Sequence, residues 1–181
     1  MTIDRSPEDL EALVRDLLES RDEFNAALGD VEPALLGTPG LAGEWSAREL
    51  VAHLGYWTGH AAEALHRAAE GQTEDFGEDD LDVDERNAVV AKVARETDLA
   101  TVRARETAAF EALLEALRTA DPAWLEERVA YGDSLEQVVK DDGADHYREH
   151  TADIRAWFAG SDEADDADDA DGEPGEDVPV A

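Results

Sequence analysis

The amino-acid sequence predicts an all-α protein, an up-and-down four-helix bundle with a long crossover that carries a short extra helix. Two positive observations and one absence predict it. Apolar residues recur at helical spacing through four long segments, and capping residues stand at the start of each one. No stretch shows the alternation of a half-buried strand, and no internal repeat is present. The 181 residues suit one domain with a sizeable core. Its expected limits are residues 1–160, followed by a disordered acidic tail over residues 161–181.

The first helix is expected to start at Ser6-Pro7-Glu8, an N-cap followed by proline at the first helical position and an acid in the first turn. Its stripe is Leu10, Leu13, Val14, Leu17, Leu18, Phe24 and Leu28, and Gly29 can end it. A Gly/Pro-rich loop leads to Trp45. Ser46 with Glu49 forms a capping-box pattern, so the second helix should begin near Ala47, burying Leu50, Leu54, Trp57, Ala61, Leu65 and Ala68. The crossover is an acidic loop, Gly71 to Asp82, and an amphipathic piece, Val83 to Thr97. Asp98 caps a third long helix with Leu99, Val102, Ala109, Phe110, Leu113 and Leu117, and Asp121-Pro122 stops it. Trp124 to Asp133 reads as irregular. Ser134 opens a fourth helix whose continuous face is Leu135, Val138, Val139, Asp142, His146, His150, Ile154 and Trp157. Beyond Gly160 the tail holds ten acids and no basic residue.

Charge is the dominant compositional feature. There are 47 acidic against 15 basic residues, a formal net charge of -32, and Lys92 and Lys140 are the only lysines. Without the tail the charge is still -22, so the acidity belongs to the body as well. The 43% hydrophobic content, arranged in periodic runs, argues for a folded chain adapted to concentrated salt, where counterions screen self-repulsion. The same charge predicts no nucleic-acid partner, because phosphate binding draws on clustered lysine and arginine. The opening Met1-Thr2-Ile3-Asp4-Arg5 lacks the charged and apolar regions of a signal peptide, and no segment approaches a membrane span. The expectation is a cytoplasmic protein with no membrane partner. Cysteine is absent, so any thiol chemistry needs a thiol from outside.

His146 and His150, four apart, stack on one face of the fourth helix and continue its apolar stripe. His53 lies beside the buried stripe of the second helix, where an unpaired polar ring is costly. Two readings stay open on spacing alone. The three imidazoles converge on a metal and leave one coordination position for water or substrate, or each is a core histidine satisfied by a carbonyl or carboxylate. Asp142, one turn before His146, could orient that ring or act as a fourth ligand, or be an ordinary acid in an acidic protein. His60 stands about 10 Å along the axis from His53, too far to share its metal, and reads as pocket lining or surface. His66, among Leu65, Arg67 and Glu70, reads as solvated. The tryptophans read as core and loop anchors.

The run Gly43-Glu44-Trp45-Ser46-Ala47-Arg48-Glu49-Leu50-Val51-Ala52-His53-Leu54 resembles the second-helix signature of the DinB/YfiT-like superfamily. That group includes the metal-binding domain of mycothiol-dependent maleylpyruvate isomerase. Asp82-Val83-Asp84-Glu85-Arg86-Asn87-Ala88-Val89-Val90 is similar to the middle element of the related ClbS/DfsB branch. His146 and His150, with Asp153-Ile154-Arg155-Ala156-Trp157, are similar to the final helix of the superfamily. The resemblance covers roughly residues 6 to 160 and implies a four-helix bundle, often a homodimer, with a divalent metal on His53, His146 and His150.

Relatives of that kind include thiol-dependent S-transferases and isomerases and a cyclopropane hydrolase. The leading expectation is therefore a metal-dependent enzyme with zinc, nickel or iron, passing a low-molecular-weight thiol to a small electrophilic substrate. The alternatives are hydrolysis by metal-activated water, and a non-catalytic stress-response module that binds a metal or small ligand.

Overall fold

A computed structural model describes residues 5–77 and 82–168, with the side chains of the last helix described as far as Ala159. Six α-helices follow in order: α1 (Pro7–Gly29), α2 (Ala47–Glu70), α3 (Val83–Arg95), α4 (Leu99–Thr119), α5 (Leu135–Val139) and α6 (Asp145–Asp168). A 3-10 turn, Pro122–Glu126, follows α4, and a π-helical turn, Lys140–Ala144, joins α5 to α6. Among the described residues there are two isolated bridges and no strand. No described helix is long and apolar enough to cross a membrane. The all-α bundle expected from the sequence is the fold observed. Residues 78–81 of the acidic loop and 169–181 of the expected tail lie outside the described residues.

The helix starts follow the capping chemistry. Ser46 and Glu49 close a reciprocal capping box at α2, the Ser46 backbone N–H donating to Glu49 at 2.9 Å. Asp98 accepts from Thr101 N–H at 2.9 Å to start α4. Gly71, at φ 69°, ends α2 in the left-handed conformation.

The core draws on Leu17, Phe24, Leu50, Leu54, Leu65, Leu113, Leu117 and Ile154, all nearly solvent-free. α2 packs along α4, and α1 along α6. Gly55 lets the first pair approach closely, since a Cβ there would lie 2.9 Å from the Glu106 Cα. Trp57, expected in the buried stripe, is only half-buried and lines a cavity instead.

One polar network crosses this core. Arg21 of α1 donates to both Glu106 oxygens of α4, at 2.7 and 2.8 Å, and the Tyr147 hydroxyl of α6 donates to the same carboxylate at 2.6 Å. Glu106 is 5% exposed, a burial that only such full pairing sustains. Tyr147 has no exposed surface, so the network fixes the rotation of α6 about its axis.

The fourth helix is not continuous from Ser134. It breaks at the π-turn, where Gly143 has φ -112° and ψ -108°, far from helical values. A π-turn changes the phase of everything before it relative to everything after it, and this decides where Asp142 points.

Candidate metal centre

The capping box at Ser46 places His53 in the second turn of α2, 6% exposed, with the Trp45 ring 4.7 Å away. The Tyr147 anchor turns the neighbouring His146 and His150 of α6 towards it. The ring centroids of His53, His146 and His150 lie 4.6, 5.2 and 4.9 Å apart pairwise. One nitrogen from each ring can be chosen so that all three lie within 4.8 Å of one another. His53 Nε2 and His146 Nε2 face each other at 2.8 Å.

Burial, with the nearby His150 charge second, pushes His53 down to about 4. Burial and then the charges of His53 and His150 push His146 down to about 3. Both rings are neutral at physiological pH, the form a metal takes.

The donor set fits a metal ion on a second ground. His150 Nε2 is buried and has no hydrogen-bond partner, and the same holds for Nδ1 of His53 and of His146. A protein core leaves few such atoms unpaired, and His150 Nε2, unpaired beside the two facing rings, is accounted for when a cation shares the site. His150 is also oriented as a ligand would be, its Nδ1 bonded to Asp153 at 2.8 Å. Asp153 was missed as a site residue. Its signal was the i,i+3 spacing from His150, which sets the two on one helix face.

Asp142 is not turned to His146. It contacts His60, with 2.7 Å from His60 Nδ1 to Asp142 Oδ2. A regular helix would stack residues 142 and 146, and the π-turn at 140–144 removes that stacking. Burial raises the Asp142 carboxyl above its ordinary range, partly offset by His60. The triad, His60 and Asp142 all line one cavity of about 790 Å³. Its walls include Trp45, Trp57 and Tyr131, so two of the tryptophans expected as anchors also face open space. His66 is exposed, as expected.

The family model of the DinB superfamily matches residues 16–153. The chain belongs to the DinB superfamily. Among solved structures it is similar to the colibactin self-resistance protein ClbS in complex with a dsDNA, with 18% identity and a TM-score of 0.67, covering 87% of this chain and 98% of that one. It is similar to mycothiol-dependent maleylpyruvate isomerase, with 19% identity and a TM-score of 0.66, covering 85% of this chain. The match spans 63% of the isomerase. A third is an uncharacterised protein from Escherichia coli UTI89, with 14% identity and a TM-score of 0.69, covering 88% of this chain and 96% of that one. No curated protein matches the chain in sequence.

The ClbS complex overturns the exclusion of nucleic acid made from net charge, since a protein of this fold has been captured on duplex DNA. The physical error is one of scale. Net charge sums over the whole chain, whereas phosphate contacts are made by a few local donors and helix termini.

Proposed function

We propose that this DinB-superfamily protein is a divalent-metal-dependent enzyme that transfers a low-molecular-weight thiol to an electrophilic substrate. The observation that carries the reading is the cluster of His53, His146 and His150, with unpaired buried nitrogens, lining a cavity large enough for a small substrate. Neutral imidazole donors suit zinc, nickel or iron(II). Such an ion supplies Lewis acidity that lowers the pKa of a thiol brought to it. The residues of the chain do the rest. His53, His146 and His150 would hold the ion, Asp153 fixes the His150 ring, and Trp45 and Trp57 wall the space a substrate would fill. The chain has no cysteine, so the sulfur nucleophile has to enter as a cosubstrate. The likeness to mycothiol-dependent maleylpyruvate isomerase supports thiol dependence.

The test uses the full-length protein purified in molar salt without chelator, with metal content read by mass spectrometry. Up to one equivalent of a transition metal is expected, and His146→Ala should lose it. Stoichiometric metal in a triple alanine variant at positions 53, 146 and 150 would place the ion elsewhere. Conjugation of a chromogenic aryl halide is then followed with cysteine, 2-mercaptoethanol and glutathione. Rates should saturate in thiol and in halide and vanish on metal removal. Turnover with metal and water alone would replace the transferase reading with a hydrolase. Binding without turnover under either condition would leave a ligand-binding module.

A further inference from the structure

We propose that His60, held by Asp142, is the group that passes a proton to the electrophile in this cavity, at the end away from the three-histidine cluster. The inference rests on the transferase reading above and adds a residue and a substrate requirement to it. His60 Nδ1 is occupied by Asp142 Oδ2 at 2.7 Å, and among the described residues that is the ring's one hydrogen bond. The ring is steadied by Phe76 at 4.5 Å and Trp57 at 5.3 Å. Among the described residues its Nε2 has no protein partner, and the ring lines the cavity.

A histidine kept for stability has both nitrogens satisfied. One whose Nδ1 is fixed by a carboxylate while Nε2 faces open space is arranged for proton transfer. The side chains of the pair are 15% and 16% exposed, enclosed enough for the partnership to matter and open enough to exchange a proton with water. When the pair holds its exchangeable proton, Nε2 presents an N–H, whichever of Asp142 Oδ2 and His60 Nδ1 carries the shared hydrogen. The π-turn that brings Asp142 here belongs to a class of helix irregularity concentrated at functional sites.

Position decides which reactant the ring serves. His60 lies two turns beyond His53 on the same face of α2, about 10 Å along the axis. It is therefore placed for the far end of a bound electrophile and not for a nucleophile held at the cluster. The thiol gives up its own proton to solvent on entry. Sulfur then bonds to the substrate carbon, and the electron pair of the bond that breaks moves to an acceptor atom on the substrate. That atom takes the proton from His60 Nε2, and the pair regains one from water. The electrophile this site takes thus carries a carbonyl oxygen or a leaving heteroatom set apart from the carbon that sulfur attacks.

Besides the three clustered histidines, the charged and titratable groups lining the cavity with the pair are Asp141 from the π-turn, Asp133 and Tyr131 from the loop before α5, Asp82 at the N-cap of α3, Arg86 from α3 and Glu149 from α6.

The experiment compares wild type, His60→Gln and Asp142→Asn, all metal-loaded, in thiol conjugation of a chromogenic aryl halide and of an α,β-unsaturated ketone across pH. Metal content should be equal in all three. His60→Gln should lower kcat for the ketone at least about 100-fold, with KM for the thiol within about threefold. Asp142→Asn should move the alkaline limb of kcat to lower pH by about one unit or more, because the carboxylate that favours the protonated ring is gone. Nitrogen-15 NMR of His60 should show the same acidward displacement of its titration with no substrate present. A structural role would lower stability without moving either titration. Wild-type turnover that survives His60→Gln within twofold, or a His60 titration unmoved in Asp142→Asn, overturns this role and leaves the transferase reading standing. No thiol-dependent turnover by wild type overturns the transferase reading and this role with it.

Discussion

Asp153 and Asp142 are two carboxylates with separate duties, and the distances say which is which. Asp153 holds His150 at Nδ1, 2.8 Å away. Asp142 holds His60, which is not one of the three clustered rings. Removing a carboxylate that orients a ligand histidine weakens metal binding by about 10- to 100-fold. Asp153→Ala should show that loss in competition with a chromogenic chelator, with helical circular dichroism unchanged. Asp142→Asn should bind metal like wild type in the same titration. Equal affinities for wild type and Asp153→Ala would remove Asp153 from the site. The three clustered histidines were legible in the sequence because a pair four apart on an apolar stripe, plus a third in a recognisable run, needs only regular helices. The His60–Asp142 pair was not legible, because it depends on one irregular turn. A regular helix puts Asp142 over His146, and periodicity carries no sign of a change in phase.

The helices themselves were written into local signals: the box at Ser46 and Glu49, Asp98 before α4, and Ser134 before α5. What escaped was the contact between elements. Glu106 falls on the buried stripe of α4 at helical spacing from Val102 and Phe110, and it is buried because Arg21 and Tyr147 meet it there. Neither partner is close to it in sequence. The Gly143 break was present as a residue but not as a geometry, since an isolated glycine in a helical pattern is often tolerated.

Gly55 supplies a test of the α2–α4 crossing. In an ordinary exposed helix, Gly→Ala stabilises by about 0.5–1 kcal/mol. At position 55 the added Cβ would meet the Glu106 Cα at 2.9 Å, backbone that cannot move without shifting α4. Gly55→Ala should therefore destabilise by about 1–3 kcal/mol, the range for overpacking, read as a lower denaturant midpoint. A midpoint equal to or above wild type would mean that the helices do not cross this closely. Because the same displacement would pull on Tyr147 through Glu106, metal affinity should weaken along with stability.

Across the whole molecule, a formal charge of -32 on 181 residues sets the conditions under which the bundle holds together. Net charge of this size was poor evidence about partners, as the DNA complex of a similar fold shows, but it is a sound argument about self-repulsion. Exposed like charges repel over roughly a Debye length, about 10 Å at 0.1 M and about 3 Å at 1 M salt. Raising potassium chloride across that range should raise the melting temperature, with most of the gain complete near 1 M, where screening already acts below the spacing of surface groups. An uncharged osmolyte works by exclusion from the surface and should give a steady gain without that plateau, which separates screening from a general solvent effect. Deleting residues 169–181 removes five of the 47 acids and leaves α6 its full length. If repulsion within the body dominates, the truncated chain should keep nearly the whole salt dependence. Loss of the dependence on truncation would place the repulsion at the tail. A melting temperature flat in salt for both chains would end the case for salt adaptation, because it would mean the carboxylates are already spaced or paired well enough to coexist at low ionic strength.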